Sequence, residues 1–118
     1  MFGTTSETAG PMVSQAYCSA VPIGYSEHST KRWEPLARLV LDATYEATLR
    51  AAAVNAEATG NRSVFLTLVG GGVFGNPTTW IIEAIHRAVT HLVGANLDIA
   101  IVSYGSRQPE VADLITRA

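Results

Sequence analysis

Four glycines within six residues form the part of this chain whose residue types most clearly suggest chemistry. Gly70, Gly71, Gly72 and Gly75 follow an apolar run at residues 64–69 and precede a helical pattern from residue 77 onward. Glycine lets a backbone adopt positive φ or approach a ligand closely. A strand, a glycine loop and a helix N-terminus together suit an anion, because unpaired N–H groups converge there. The pattern predicts a phosphate-binding loop. The alternative is a tight turn whose glycines only let the helix pack close to the sheet.

The other residues capable of catalysis or metal binding form no recognisable pattern. His86 and His91 are five residues apart and do not share a helix face, and His28 is distant in sequence. Cys18 has no partnering Cys/His pattern and is expected to be a small buried apolar group. We therefore predict no metal, no cofactor and no catalytic residue, and we do not expect an enzyme.

The longest helical pattern covers residues 33–58, ahead of the glycine loop. Pro35 is expected in its first turn, where proline is tolerated, and Gly60 is expected to cap its end. Alanines within this pattern favour the helix and allow close packing on a sheet. The predicted apolar face comprises Leu36, Leu39, Val40, Ala43, Ala47, Leu49, Ala51 and Val54.

A second helix is predicted at residues 77–93, directly after the loop. Asn76 is expected to be its N-cap, with Pro77 at the first helical position. Trp80 is expected to be a core or interface anchor, although its place one turn past the loop also suits ligand stacking. The residues predicted to form the apolar face are Trp80, Ile81, Ala84, Ile85, Ala88, Val89 and Leu92.

Three strands are predicted, at residues 12–21, 64–69 and 97–104, and the last two are apolar enough to be buried on both faces. Residues 110–118 are predicted to form a short helix with Val111, Leu114 and Ile115 on one side. Helical connections between strands imply a parallel sheet with right-handed crossovers. The expected fold is a three-layer α/β/α domain with a short, mainly parallel sheet at residues 12–118, preceded by a flexible arm at residues 1–11.

Composition limits the classes of partner. The formal charge is −2, without a cluster of basic residues, so no nucleic-acid partner is predicted. No apolar run is long enough for a membrane span, no signal peptide is recognisable, and the single cysteine fits a reducing compartment, so a cytoplasmic protein is expected. Hydrophobic residues make up 47% of the chain and charged residues 15%, which favours a homodimer that buries apolar surface.

The stretch that ends Val-Gly-Gly-Gly-Val-Phe-Gly-Asn-Pro, at residues 69–77, resembles the macrodomain signature. Gly72, Val73, Phe74, Gly75 and Pro77 match that pattern directly. Gly70 and Gly71 stand where the family often has hydroxyl residues, and Asn76 where it often has an aromatic residue. The resemblance extends in kind over residues 13–104, which look like the C-terminal part of a longer macrodomain-like family.

In macrodomains this loop wraps the diphosphate of ADP-ribose, and its aromatic residue lies near the distal ribose. The resemblance implies a phosphate cradle in the backbone of residues 71–75, with Phe74 as an apolar wall. Residues 1–13 match neither the acidic residue that reads adenine nor the second glycine-rich loop of the family. We therefore expect a shortened relative, or one completed by a second copy, without ADP-ribose hydrolysis.

Two functions remain open at this point. The first is a binding module for a phosphate-containing nucleotide ligand of the ADP-ribose type. The second is a non-catalytic, homo-oligomeric interaction protein in which the loop is only a packing turn. The residues predicted to contact a ligand are Gly70, Gly71, Gly72, Val73, Phe74, Gly75, Asn76 and, from its position after the last strand, Tyr104.

Overall fold

In the part of the chain that the structure describes, two helices and a short parallel sheet form a small α/β domain. The computed structural model describes residues 2–5, 12–25, 30–71 and 74–102. The predicted helix at residues 110–118 lies outside the described residues, as do His28, Gly72, Val73 and Tyr104. The elements in chain order are β1 (Phe2–Thr5), β2 (Val13–Ala16), α1 (Thr30–Thr59), β3 (Ser63–Thr67), α2 (Thr78–His91) and β4 (Asp98–Val102).

The parallel sheet consists of β3 and β4, with α2 as the connection between them. Ser63 lies opposite Asp98 and Thr67 opposite Val102, so the two strands are in register over their whole length. The predicted parallel pairing is confirmed for these strands. The prediction that the first strand joins them is wrong in the described structure, because β2 pairs antiparallel with β1. All four residues of β2 are exposed, so this strand has no buried face to place against the helices.

The N-terminal end of α1 differs from the prediction. The helix begins at Thr30, three residues before the expected start, and Pro35 lies inside it. Proline has no N–H to donate to the carbonyl of Lys31, four residues earlier, so one helical hydrogen bond is missing near this end. The C-terminal end of α1 agrees with the prediction that Gly60 caps it. Gly60 follows the helix directly with a φ of +79° and donates its N–H to the carbonyl of Ala56.

The buried face of α1 is a stripe at four-residue spacing. Ala37, Leu41, Tyr45 and Leu49 are each at most 1% exposed. Of the apolar face predicted from the sequence, only Leu49 is fully buried. Leu36, Leu39 and Val54, which belonged to that face, are exposed, so this prediction is wrong. Alanines and aliphatic residues occur on all sides of α1, and periodicity alone therefore does not single out one face.

The buried face of α2 confirms the prediction. Trp80, Ile81, Ala84, Ile85 and Ala88 are all buried, and Trp80 is part of the core rather than exposed. Ile82, which was not predicted for this face, is buried as well, and Val89 and Leu92 are partly buried. The polar residues Glu83, His86 and Arg87 separate the later buried positions, so the apolar period still marks the buried side of α2. Neither described helix combines the length and the hydropathy that a membrane span requires.

Both helices cover the same face of the sheet. Val64 and Leu66 of β3 point toward the helices and belong to the hydrophobic core, with Ile99 and Ile101 of β4 packed against it. On the other face Phe65 is 72% exposed. The prediction that these strands are buried on both faces is therefore wrong for the part of the chain that the structure describes. The described elements form two layers, one of helices and one of sheet.

Candidate ligand-binding loop

The glycine loop occupies residues 68–77, between the end of β3 and the start of α2. It lies at the carboxyl end of the parallel strands, which is where open α/β sheets usually bind ligands. The first N–H groups of a helix have no partner within the helix. The first N–H groups of α2 lie directly after this loop, so the predicted combination of strand, loop and helix N-terminus is present.

Two glycines of the loop are required by close packing against residues 20–24. Gly70 has a φ of +85°, and a Cβ there would lie 2.4 Å from the Cβ of Ala20. Gly75 has a φ of +78°, and a Cβ there would lie 2.9 Å from both the N and the Cα of Gly24. Both positions combine a backbone conformation that favours glycine with a neighbour that leaves no room for a side chain. These two glycines therefore have a packing role.

Asn76 ties the same parts together. Its Nδ2 donates to the carbonyl of Val21 at 2.8 Å and to that of Gly70 at 2.9 Å, and its backbone N–H also donates to Gly70 at 3.0 Å. The side chain is 4% exposed. The expected N-cap is thus wrong: Pro77 occupies that position, without a side-chain cap, because the amide of Asn76 is used within the loop.

The other oxygen of this amide is a buried acceptor. Oδ1 of Asn76 has no hydrogen-bond partner among the residues that the structure describes. Two carbonyls accept from Nδ2, so exchanging the amide oxygen and nitrogen would place the oxygen against both of them and lose both bonds. A buried acceptor without a donor costs about 1–3 kcal/mol. This position therefore favours a donor such as a water molecule or a ligand hydroxyl.

Gly71 differs from the two packing glycines. Its φ is not positive, and a Cβ there would meet Cδ1 of Ile81 at 3.6 Å, an ordinary contact. Phe74 is half-buried and packs against the core. The structure thus brings five of the predicted site residues into one loop, of which Gly70, Gly75 and Asn76 hold the loop in place. The other three, Gly72, Val73 and Tyr104, lie outside the described residues.

Tyr45 of α1 secures the end of β3 beneath the loop. Its hydroxyl donates to the carbonyl of Thr67 at 2.6 Å and accepts from the N–H of Val69 at 2.9 Å. Burial raises the pKa of Tyr45 from 10.0 to about 12, against the opposing effect of the Val69 hydrogen bond. Sequence reasoning did not find this role. The only signal in the sequence was a tyrosine within an apolar helical pattern. A buried tyrosine hydroxyl usually needs a hydrogen-bond partner.

Charged side chains form ion pairs between the two helices, beginning beside the first turn of α2. Arg38 contacts Glu34 at 2.8 Å and Glu83 at 2.6 Å, and its guanidinium lies 5.3 Å from the ring centre of Trp80. Further along, Arg87 pairs with Asp42. These pairs are partly exposed, and such pairs are each worth about 1 kcal/mol or less. They favour one packing of α1 on α2 and do not resemble a catalytic arrangement.

A cavity of about 30 Å³ lies beside these pairs, lined by Asp42, Glu46, Ala84, Arg87, Ala88 and His91. This volume suits one or two water molecules and is too small for a nucleotide. His91 Nδ1 lies 3.4 Å from Glu46, whose pKa is lowered mainly by the hydrogen bond from Arg50. No group of three or more His, Cys, Asp or Glu side chains suited to a metal occurs among the residues that the structure describes.

Comparison with known proteins adds no relative: no family model, no curated protein and no solved structure is significantly similar to this chain. The macrodomain resemblance therefore rests on residues 70–77 and their flanking elements, and it stays a prediction.

Proposed function

We propose that the protein binds a phosphate-containing nucleotide ligand of the ADP-ribose type at residues 70–76, with Tyr104 beside the same cleft. The observation that carries this proposal is the placement of the glycine loop. It joins the carboxyl end of a parallel strand to the N-terminus of α2, a helix of 14 residues. Backbone N–H groups and the positive end of the helix macrodipole both favour an anion at such a position.

Two features of the loop suit this role. Gly70, Gly75 and Asn76 hold its two ends against residues 20–24, so the backbone between them is presented by a fixed frame. A fixed frame lowers the entropy lost on binding. Oδ1 of Asn76, for which the described residues offer no donor, supplies a buried acceptor next to this frame, and a ribose hydroxyl is a donor of the right kind.

The experiment places a negative charge where the phosphates are expected to bind. Thr79 is exposed in the first turn of α2. In Thr79→Glu a carboxylate about 6 Å from a diphosphate with about two charges would weaken binding by about 1.4 kcal/mol, or tenfold, at low ionic strength. The same carboxylate stabilises the helix by about 0.3–1 kcal/mol through the macrodipole, and repulsion from Glu83, four residues later, offsets about 0.2–0.5 kcal/mol of this. Loss of binding would therefore not come from loss of fold.

The matched control is Thr79→Gln, because glutamine has nearly the same shape as glutamate but carries no charge. Isothermal titration measures the affinity of wild type, Thr79→Glu and Thr79→Gln for ADP-ribose. AMP and inorganic phosphate are the comparison ligands. The proposal predicts saturable binding to wild type and Thr79→Gln, and about tenfold weaker binding to Thr79→Glu. Equal affinity in all three proteins would move the site elsewhere, and a flat titration of folded wild type would reject the proposal.

A second function has its own support. Gly70 and Gly75 approach residues 20–24 so closely that a side chain at either position would clash. A non-catalytic homo-oligomeric interaction protein, with the loop as a packing turn, accounts for that observation. Leu36, Leu39 and Val54 on the outer side of α1 offer apolar surface to a second copy. Elution as a monomer at micromolar concentration would contradict this alternative.

The remaining parts of the proposal concern context. The proposal includes a macrodomain-like half with a three-layer arrangement, which is consistent with the loop. It also includes a homodimer and a cytoplasmic location, and the single cysteine is consistent with that location. Cys18 is half-buried beside the hydroxyl of Thr48, with 3.9 Å between Sγ and Oγ1. No reaction is proposed for this site.

A further inference from the structure

A second apolar stripe runs along α1 on the side opposite its buried face. At about 3.6 residues per turn, a set of residues between positions 36 and 54 lies within about 60° of the direction opposite Tyr45. All members of this outer stripe are apolar except the arginine, and they are Leu36, Leu39, Val40, Ala43, Ala47, Arg50, Ala51 and Val54. Leu36, Leu39 and Val54 are 47%, 65% and 67% exposed. A contiguous exposed apolar surface of this kind usually marks an interaction site.

Helix propensity does not account for the outer stripe. It explains the alanines, because alanine is the best helix former. Valine is a poorer helix former than glutamate or lysine, so Val40 and Val54 gain nothing for an isolated helix by facing outward. The larger side chains of the stripe therefore favour burial against a partner.

The size of this surface suits a second copy of the chain. Residues 32–57 belong to α1 and span about 38 Å, and the outer half of a helix about 12 Å in diameter measures about 19 Å around. These dimensions give roughly 700 Å² on each copy, close to the roughly 800 Å² that each partner buries in a standard interface. A lipid surface fits less well, because acidic and basic side chains both border the stripe, as in the pair of Glu46 with Arg50.

The outer stripe is complementary to itself when two copies run antiparallel. If the two helices are centred at Tyr45, Leu36 lies level with Val54 of the second copy, because both are nine positions from the centre. Ala43 then lies level with Ala47 of the second copy. The small residues in the middle let the helix axes approach closely, and the larger residues fill the space toward both ends.

Charge favours the same direction. Arg32 and Glu57 are exposed at opposite ends of the stripe and lie on the same side of it. Antiparallel pairing brings each Arg32 level with Glu57 of the second copy, whereas parallel pairing would place like charges together. Arg50 contacts Glu46 of its own chain at 3.1 Å, so its charge is compensated at the edge of the stripe.

We propose that two copies of the protein associate through the outer stripe of α1 in an antiparallel, two-fold symmetric arrangement. This inference does not depend on ligand binding by the glycine loop. It rests on the second function above, for which it names the interface.

Sedimentation equilibrium of wild type and two arginine variants tests the interface. Ala43→Arg puts a large charged side chain at the middle of the stripe, at an exposed position. Val93→Arg is the control, because Val93 is 80% exposed and lies outside the stripe. Wild type and Val93→Arg are expected to dimerise equally, and Ala43→Arg about 100-fold more weakly, since a symmetric interface contains the substitution twice.

The possible failures of this experiment are distinguishable. A wild type that is monomeric at about 100 µM would overturn both the interface and the second function. A dimer that Ala43→Arg leaves intact would overturn the interface and keep self-association through another surface. Urea unfolding of Ala43→Arg checks that its fold is retained.

Disulfide trapping tests the antiparallel direction. In a Cys18→Ser background, Leu36→Cys and Val54→Cys are prepared as separate proteins that differ in mass, and are oxidised alone and as a mixture. The mixture is expected to give the linked mixed dimer. Neither protein alone is expected to link, because Leu36 lies about 27 Å along the helix from Leu36 of the second copy. Linking of either protein with itself, or no linking in the mixture, would overturn the arrangement.

Discussion

Replacing Gly70 with alanine tests whether the loop is held by its packing against residues 20–24. An alanine there would have to keep a φ of +85° and place its Cβ 2.4 Å from that of Ala20. The left-handed conformation costs roughly 1–2 kcal/mol for a residue with a Cβ, and overpacking typically adds about 1–3 kcal/mol. We expect Gly70→Ala to lower the free energy of unfolding by about 2–5 kcal/mol, a large part of the stability of a small domain.

Two other glycines separate the contributions to this loss. Gly60 has a similar φ of +79°, but a Cβ there would have no described atom within 4 Å, so Gly60→Ala measures the conformational cost alone, about 1–2 kcal/mol. Gly71 has neither a positive φ nor a close neighbour. Gly71→Ala is therefore expected to be neutral or to stabilise by up to about 1 kcal/mol, because alanine restricts the unfolded chain.

Urea unfolding followed by tryptophan fluorescence measures all three variants, since Trp80 is buried in the core and reports its loss. The expected order of stability is Gly71→Ala at or above wild type, then Gly60→Ala, then Gly70→Ala. If Gly70→Ala matched Gly60→Ala within about 0.5 kcal/mol, the contact with Ala20 would not constrain the loop and the packing argument would be refuted.

Two further predictions concern the side chains beneath and within the loop. The hydroxyl of Tyr45 has a pKa raised from 10.0 to about 12, so its contribution to stability is complete below pH 10 and is lost as the pH rises to 12. This loss is about 2–3 kcal/mol in urea unfolding at alkaline pH and is expected to be absent in Tyr45→Phe, whereas equal pH dependence of the two proteins would contradict the buried hydroxyl. Asn76→Asp replaces a donor to two carbonyls by a carboxylate of the same shape and is expected to destabilise at least as much as Asn76→Ala, by about 1–3 kcal/mol or more. A fully stable Asn76→Asp in the same assay would contradict the two hydrogen bonds from Nδ2 to these carbonyls.

The sequence predicted the elements around the loop well where periodicity was unambiguous. In α2 the apolar residues recur at helical spacing with polar residues on the opposite side, and Trp80, Ile81 and Ile85 are buried as expected. The strand before the loop and the helix after it were located to within a few residues. Parallel pairing of β3 with β4 followed from the helical connection between them.

Other features depend on contacts between distant parts of the chain. The face of α1 was misassigned because apolar residues surround that helix, and the buried stripe is the one that brings Tyr45 to the end of β3. The antiparallel pairing of β2 with β1 has no clear signal in a stretch without alternation. The packing role of Gly70 depends on Ala20, fifty residues earlier, so glycine content alone could not separate packing from ligand binding.

The most direct test of ligand binding at the loop is a titration of ¹⁵N-labelled protein with ADP-ribose, followed by amide chemical shifts. The account predicts saturable shifts at Gly71, Phe74, Thr78 and Thr79, with unperturbed shifts along the outer side of α1 and α2. Shifts confined to the surface around Glu46 and His91, or no shifts at millimolar ligand, would contradict it and leave the loop as a packing turn.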